Sequence, residues 1–554
     1  MKKISMICCL LFAALSSFAQ PGWVKNSSRS VFTLKTFAAD GSLIASSNGF
    51  FTGTNGEAVS NFTPFKGAAR AIVIDAQGKE LQVAGIMGAN DMYDVVKFRV
   101  NSAKTQPLTL SSSVAPIGSL AYLLPYYEVK AVKSGPVRKA ETFQGDYPYY
   151  TVALSMGENQ VSCPLLDASG QVIGMMQQPA VLGDSLSYAV SARFVDSLKI
   201  NGLNFYDETF KLTQMKKLLP TDIKEANLVL YFAGSQSDSS EYVSLIHDFI
   251  QQFPNAPDGY IYRAQQETTA GDFSSAERDM EQALKLANPK DDAHFNYARI
   301  IYNKEIYQSA QPYAGWNLDK ALQQIQTAIS INPVTTYRHL EGDILFAKQR
   351  YDEAYEIYTS LLSTNLRSAE LFFAAARCKE MQKDTTAMLA LMDSTINMFN
   401  RPYLKEAAPY LWARSEARRN AGHYREAIAD MNDYETIMTA TVNDNFYYIR
   451  HQVEIQGRLY QQALNDINRA IQMNPNEILY LAEKASLEIR VGLYDQAITT
   501  AKECIALDAG NSDGYLFLGL GQCLKGQKAE GIKNLQKAKD LGDTQADTLI
   551  EKYK

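Results

Sequence analysis

By residue type, the side chains best suited to nucleophilic chemistry are Ser162 and Cys163, in the stretch Asn159 to Gly174, NQVSCPLLDASGQVIG. A Ser-Cys-Pro-Leu-Leu step is followed by the small polar turn residues Asp167-Ala168-Ser169-Gly170. Gln171-Val172-Ile173-Gly174-Met175-Met176 then reads as an apolar, β-branched buried strand. A serine at such a turn needs a base within hydrogen-bond reach, and a thiol needs a neighbour that lowers its pKa. The chain's histidines are His247, His294, His339, His423 and His451, so no imidazole precedes residue 247. A lysine such as Lys66 could serve Ser162 as base. Against this stands a plainer role for each residue: Ser162 caps the turn, and Cys163 is a small buried apolar group. Neither has an activating neighbour visible in the sequence, so the plainer role is expected.

The elements that must hold this turn are short strands. From Gln20 to about Phe205 the chain alternates apolar runs with Gly, Asn, Asp and Ser turns: Ser30 to Thr36, Leu43 to Thr52, Ala71 to Asp75, Leu81 to Met87, Val95 to Val100 and Ser119 to Leu124. Closely spaced short strands predict an all-β barrel or sandwich, and the segment is long enough for a double barrel. The 554-residue chain exceeds one core and suits two or three domains.

Three places in this segment resemble the trypsin-like serine peptidases of the HtrA/Deg branch. Ser47-Asn48-Gly49-Phe50-Phe51, Asn55-Gly56 and Val59-Ser60-Asn61 are similar to that family's Gly-Ser-Gly-Phe … Val-Thr-Asn-His segment, with Phe62 in the histidine's place. Tyr93-Asp94-Val95-Val96 resembles Asp-Leu-Ala-Val, matching Asp94 to the triad acid. Residues 159–165 resemble Gly-Asn-Ser-Gly-Gly-Pro-Leu, which puts Val161 in the nucleophile's place and Asn159, Ser162 and Cys163 in place of glycines. Ser187 to Val190 and Ala192 to Leu198 look like the last strand and closing helix. The resemblance implies a trypsin-like double barrel over residues 20–205 whose triad positions Phe62, Asp94 and Val161 are degenerate, a pseudoprotease with no catalytic residues. Loss of the glycines also puts the oxyanion donors in doubt.

Residues 206–221, with Lys216-Lys217-Leu218-Leu219 before Pro220, read as a linker helix. Beyond it a motif recurs: a tight turn, an alanine, and a small or apolar residue seven positions on. Its marks are Ala276, Ala321, Ala354, Ala387, Ala427, Ala463, Ala497 and Gly531. Seven residues are nearly two helical turns, so both small side chains share a face and admit a neighbouring helix. Asn288-Pro289, Asn332-Pro333 and Asn474-Pro475 mark helix ends. A spacing near 34 resembles the tetratricopeptide repeat (TPR). About eight to nine repeats are expected over 222–543, the first degenerate, with a capping helix over 544–554. The expected fold class is thus multidomain, an all-β trypsin-like double barrel followed by an all-α TPR solenoid.

Residues 1–19 read as a signal peptide: Lys2 and Lys3, an apolar run from Ile4 to Leu15, and Ser17-Phe18-Ala19 as a small-x-small cleavage site. No run approaches the roughly 20 apolar residues of a membrane span. The protein is therefore expected to be exported and soluble, in the periplasm or secreted. Cys163, Cys378, Cys504 and Cys523 are scattered, as suits buried thiols rather than a disulfide framework or metal site. Residues 206–554 hold 37 Lys+Arg against 47 Asp+Glu, a balance that disfavours nucleic acid. No P-loop, dinucleotide fingerprint or metal-ligand spacing is present, so neither cofactor nor metal is expected.

The TPR resemblance implies a protein or peptide partner on the concave face made by the first helix of each repeat. Counting back from Ala427 and Ala463 puts Trp412, Glu416, Arg419, Tyr448 and Gln452 there, although Trp412 and Tyr448 also suit packing between helices. Three functions remain open: a non-catalytic scaffold or adaptor, a peptidase with an unconventional nucleophile at Ser162 or Cys163, and a structural component of an envelope assembly.

Overall fold

The computed structural model describes residues 20–126, 132–143, 145, 147–179, 181, 183–236 and 239–554. The expected signal peptide over 1–19 lies outside them. The chain divides into two compact units, residues 1–286 and 287–554.

The first unit opens with two closed six-stranded antiparallel barrels. The first is built from β1 (Val31–Phe37), β2 (Leu43–Phe51), β3 (Glu57–Ser60), β4 (Arg70–Ile74), β5 (Glu80–Asn90) and β6 (Val95–Val100). The second is built from β7 (Leu120–Leu123), β8 (Lys133–Phe143), β9 (Tyr147–Val152), β10 (Pro164–Leu166), β11 (Val172–Met176) and β12 (Ser187–Ser191). Strand order is β1-β2-β3-β6-β5-β4 in the first, and the same pattern, β7-β8-β9-β12-β11-β10, in the second. The chain therefore makes one six-strand topology twice, as a double barrel requires.

Alternation drives each closure: in β1 and β6, alternate side chains such as Phe32, Leu34, Val96 and Phe98 turn inward and are buried. The second core gathers Leu123, Val137, Tyr150, Val152, Leu165, Ile173 and Met176. The Asp167–Gly170 turn forms as its composition predicts, with Asp167 Oδ1 accepting from the Ser169 and Gln171 amides at 2.8 and 3.0 Å. Gly170 sits at φ +86° directly under Trp23, where a Cβ would come within 2.6 Å of the indole.

The expected linker helix over 206–221 does not form: only Glu208–Lys211 is helical. Lys216 to Leu218 instead runs along β5, with Ile86 N–H donating to Lys216 O and Leu218 N–H to Ile86 O, both at 2.8 Å. Barrel backbone thus captures a segment whose composition favours helix. The helical hairpin 223–236/239–252 follows and packs on the first barrel's core through Ala226, Val229, Leu230, Ile246 and Phe249. Lys216 pairs with Asp248 at 2.6 Å, and Gln252 Nε2 donates to Pro220 O at 2.6 Å. A further hairpin, Pro257–Thr269 with Phe273–Leu286, completes the unit.

The second unit is all helix. Its hairpins pair Asp291–Tyr307 with Leu318–Ile331, Thr335–Ala347 with Tyr351–Leu361, Ala369–Met381 with Thr385–Ile396, and Ala408–Asn420 with Tyr424–Met438. Asp444–Gln456 then pairs with Tyr460–Met473, Ile478–Arg490 with Tyr494–Leu507, and Ser512–Leu524 with Lys528–Asp540, before the end helix Ala546–Tyr553. Ala321, Ala354, Ala427, Ala463 and Ala497 are wholly buried, as is Ala276 in the first unit. One mark is displaced: Ala387 is half-buried, and Met388, the fourth residue of its helix like the other marks, fills the contact. The marks Ala276 and Ala321 stand 45 residues apart, and this wider interval holds a ten-residue loop between Tyr307 and Leu318.

Two devices recur among the repeats. Arginine and aspartate 16 residues apart clamp the two helices of a hairpin at Arg263–Asp279, Arg414–Asp430 and Arg450–Asp466. The Asn-Pro marks stop helices and also tie them: Asn332 Nδ2 donates to Asp291 Oδ2 at 2.8 Å and Asn474 Nδ2 to Asp444 Oδ2 at 3.1 Å. Tyr337 and Tyr480 donate to the same two carboxylates. These bonds, the asparagine amide's above all, hold Asp291 and Asp444 below the ordinary carboxylate range.

Candidate functional site

In the first unit, the turn carrying Ser162 meets β2 and the end of β3. Ser162 is fully buried at φ +64°, so it retains the left-handed backbone that glycine would adopt at that place. Its Oγ donates to Asn61 Oδ1 at 2.8 Å and accepts from the Asn61 N–H at 3.0 Å. Asn61 Oδ1 also accepts from Ser47 Oγ at 2.6 Å. Asn48 Nδ2, from β2, donates to Asn159 O at 2.9 Å and Val161 O at 3.3 Å. A buried amide–hydroxyl lattice therefore fastens the turn to the first barrel.

The neighbouring positions are equally committed. Phe62 is fully buried in the first barrel's core, and Val161 is buried in the second. Asp94 Oδ1 accepts from the Thr63 N–H at 2.6 Å, so it fixes the backbone beside Phe62. Next to it the Tyr93 ring packs against Phe143 and Phe194, with centroids 4.2 and 5.4 Å away. Lys66 pairs with Asp91 at 2.5 Å. Cys163 is fully buried, and burial pushes its thiol up to about 12, the wrong direction for a nucleophile. The other three thiols are buried and free. No cluster of His, Cys, Asp and Glu suited to a metal occurs among the described residues.

In the second unit, the first helices of three successive repeats, Ala408–Asn420, Asp444–Gln456 and Ile478–Arg490, line a recess of about 470 Å³. Val453, Ile455 and Leu487 contribute its apolar surface, and Arg419, Gln452, Gln456, Glu483, Ser486 and Arg490 its polar surface. Arg419 and Gln452 thus lie where the repeat count placed them. Glu416 is half-buried on the same helix and is not among the lining residues. Trp412 and Tyr448 share helix faces with Arg419 and Gln452, two turns and one turn earlier, but are not among the lining residues. Trp412 packs against Tyr434 and Phe446 at 5.3 and 6.1 Å, and Tyr448 against Tyr480 at 5.1 Å while accepting a hydrogen bond from Gln452. These two aromatics hold adjacent helices together. Counting from the repeat marks missed Gln456, Glu483, Ser486 and Arg490, although the spacing 452, 456 and 483, 486, 490 is that of one helix face.

Burial, reinforced by nearby Asp513 and opposed by Arg490, raises the Glu483 carboxyl above its usual range. Deeper in the same repeats, Glu454 is buried beside Arg450 and Asp466 with its Oε2 unpartnered. Burial first, and the Asp466 charge second, push it up to about 8.

No family model matches the chain. A TPR repeat-containing protein of Methanocaldococcus jannaschii is 23% identical over 337 residues, 58% of this chain and 56% of that protein. Small glutamine-rich tetratricopeptide repeat-containing protein 2 of Saccharomyces cerevisiae is 28% identical over 95 residues, 17% of this chain and 28% of that protein. A DnaJ homolog subfamily C member 7 homolog of Dictyostelium discoideum is 20% identical over 333 residues, 56% of this chain and 59% of that protein. The chain thus spans under two thirds of the length of each of these relatives. Among solved structures, a protease from M. tuberculosis in its active form is 18% identical, at a TM-score of 0.29, over 32% of this chain and 82% of that one. The first two relatives carry tetratricopeptide repeats in their names, and this chain's series of helical hairpins is similar to such repeats.

Proposed function

We propose that this protein is an exported, non-catalytic scaffold that binds a protein or peptide partner through the first helices of its repeats. The observation that carries the reading is the recess shared by three consecutive first helices, with Gln452, Gln456 and Ser486 presenting polar groups around an apolar floor. Extended peptides are held by such a mixture: apolar contact for affinity, amides and hydroxyls for register. The β domain supports the non-catalytic half of the reading. Ser162 Oγ is engaged on both sides by Asn61, Cys163 is buried with its pKa raised, and residues 20–246 contain no histidine. The pattern of residues 1–19 supports export. Among the described residues no helix is long and apolar enough to cross a membrane.

Photo-crosslinking of the full chain in the exported fraction tests the binding half. A crosslinker at Gln456 should capture a discrete partner. One at Gln472, exposed on a second helix, should not. Equal capture from both positions, or none from Gln456, would place the partner elsewhere.

A further inference from the structure

The recess in the second unit carries an unbalanced charge. Arg419 is half-buried, yet its guanidinium has no hydrogen bond or ion pair among the described residues. The other arginines of the same helix are spoken for: Arg414 and Arg418 both bind Asp393 and Asp430. Across the recess, two repeats on, Arg490 has one acidic neighbour in the lining, Glu483. The lining therefore holds two guanidiniums and one carboxylate, with Gln452, Gln456 and Ser486 between them. A half-buried guanidinium offers a planar fork of donors that matches a carboxylate, and the neutral amides and hydroxyl supply further donors.

Resting on the peptide-binding reading above, we infer that this recess takes an extended peptide with an internal acidic side chain, whose carboxylate sits on Arg419 and is shared with Arg490. The charge of the surrounding chain narrows the class. Residues 206–554 carry 47 acidic against 37 basic residues, so a polyanion would be repelled by the rest of the array. A peptide bringing one carboxylate to one unmatched arginine avoids that repulsion. Its backbone can be read by Gln452, Gln456 and Ser486, and an apolar neighbour can rest on the partly exposed Ile455.

The test uses the full chain and a pool of N-acetylated, C-amidated dodecapeptides with Glu, Gln or Lys fixed at the centre and the remaining positions randomised. Blocked termini leave the central side chain as the fixed acid. Binding by fluorescence polarisation should rank Glu over Gln by on the order of tenfold, and over Lys by more. The preference should shrink as salt rises from about 0.05 to 0.5 M. In Arg419→Gln, which keeps a polar side chain but removes the charge, it should fall below about twofold. Arg490→Gln should reduce it partly, and Gln472→Ala should leave it intact. Equal binding of Glu and Gln pools by the native protein, or a preference that survives Arg419→Gln, overturns the acidic assignment but leaves a peptide groove standing. No binding by any pool overturns the groove itself. Competition by N-acetylglutamate amide at the same concentration as the peptide overturns the peptide assignment in favour of a small anion.

Discussion

Asn61→Ala tests whether the buried lattice around Ser162 fastens the turn to the first barrel. The substitution removes the acceptor for Ser162 Oγ (2.8 Å) and for Ser47 Oγ (2.6 Å). Ser47 is half-exposed, and water can replace its lost partner. Ser162 is fully buried, so its hydroxyl proton is left unmatched inside the protein. An orphaned buried hydroxyl costs about 1–3 kcal/mol, and the cavity left by the amide adds to it, so the expected loss is about 2–4 kcal/mol. Pairing Asn61→Ala with Ser162→Ala removes both ends of the bond, and the double variant should recover about 1 kcal/mol relative to the sum of the singles. The assay is urea unfolding of the full chain followed by hydrogen exchange in peptides covering residues 43–62 and 159–176. These two segments should lose protection together. A change under about 0.5 kcal/mol, or exchange confined to one segment, refutes the lattice as the fastening.

Three other substitutions test the array. Trp412→Ala should cost about 3–5 kcal/mol in thermal or denaturant unfolding, because the indole packs between helices against Tyr434 and Phe446; a neutral result would return it to the groove. Arg458→Gly should stabilise by about 1 kcal/mol, since Arg458 holds φ +59° at the inter-helix turn where other repeats place Gly422 and Gly492; a loss of stability would mean that its side chain does the holding. Glu454, raised from 4.5 to about 8, binds a proton in the fold that it gives up in the unfolded chain at neutral pH. Its contribution is therefore complete below about pH 4.5 and is lost as pH climbs to about 8. Glu454→Gln should flatten that decline, measured as unfolding midpoint against pH, and an unchanged slope would show that another group carries it.

The repeats were legible because most of these helix contacts take a small residue, so Ala427, Ala463 and Ala497 advertise their packing at fixed spacing. Ala387 misled because Met388, one place on, is flexible enough to fill the same contact. Strand β8 was not foreseen: Lys133–Phe143 is largely polar and carries Gly135 and Pro136, so little alternation survives. The linker was misread because local composition favoured helix, whereas backbone bonds to Ile86, 130 residues earlier, decide its form. Ser162 shows the same limit. Its partner Asn61 is 101 residues away, and nothing local distinguishes a turn cap from a hydroxyl held across two barrels. The aromatics Trp412 and Tyr448 share helix faces with Arg419 and Gln452 yet pack against neighbouring rings, because residue type signals burial energy rather than the partner against which it is realised.

The central claim is that this double barrel has a structural task and no covalent chemistry. The most direct measurement exposes the purified full chain to a fluorophosphonate and, separately, to iodoacetamide in native buffer, with unfolded casein as a parallel substrate. The predicted result is intact casein, no fluorophosphonate adduct, and no alkylation at Cys163 until the protein is denatured. Casein cleavage, or an adduct abolished by Ser162→Ala or Cys163→Ser, would contradict it.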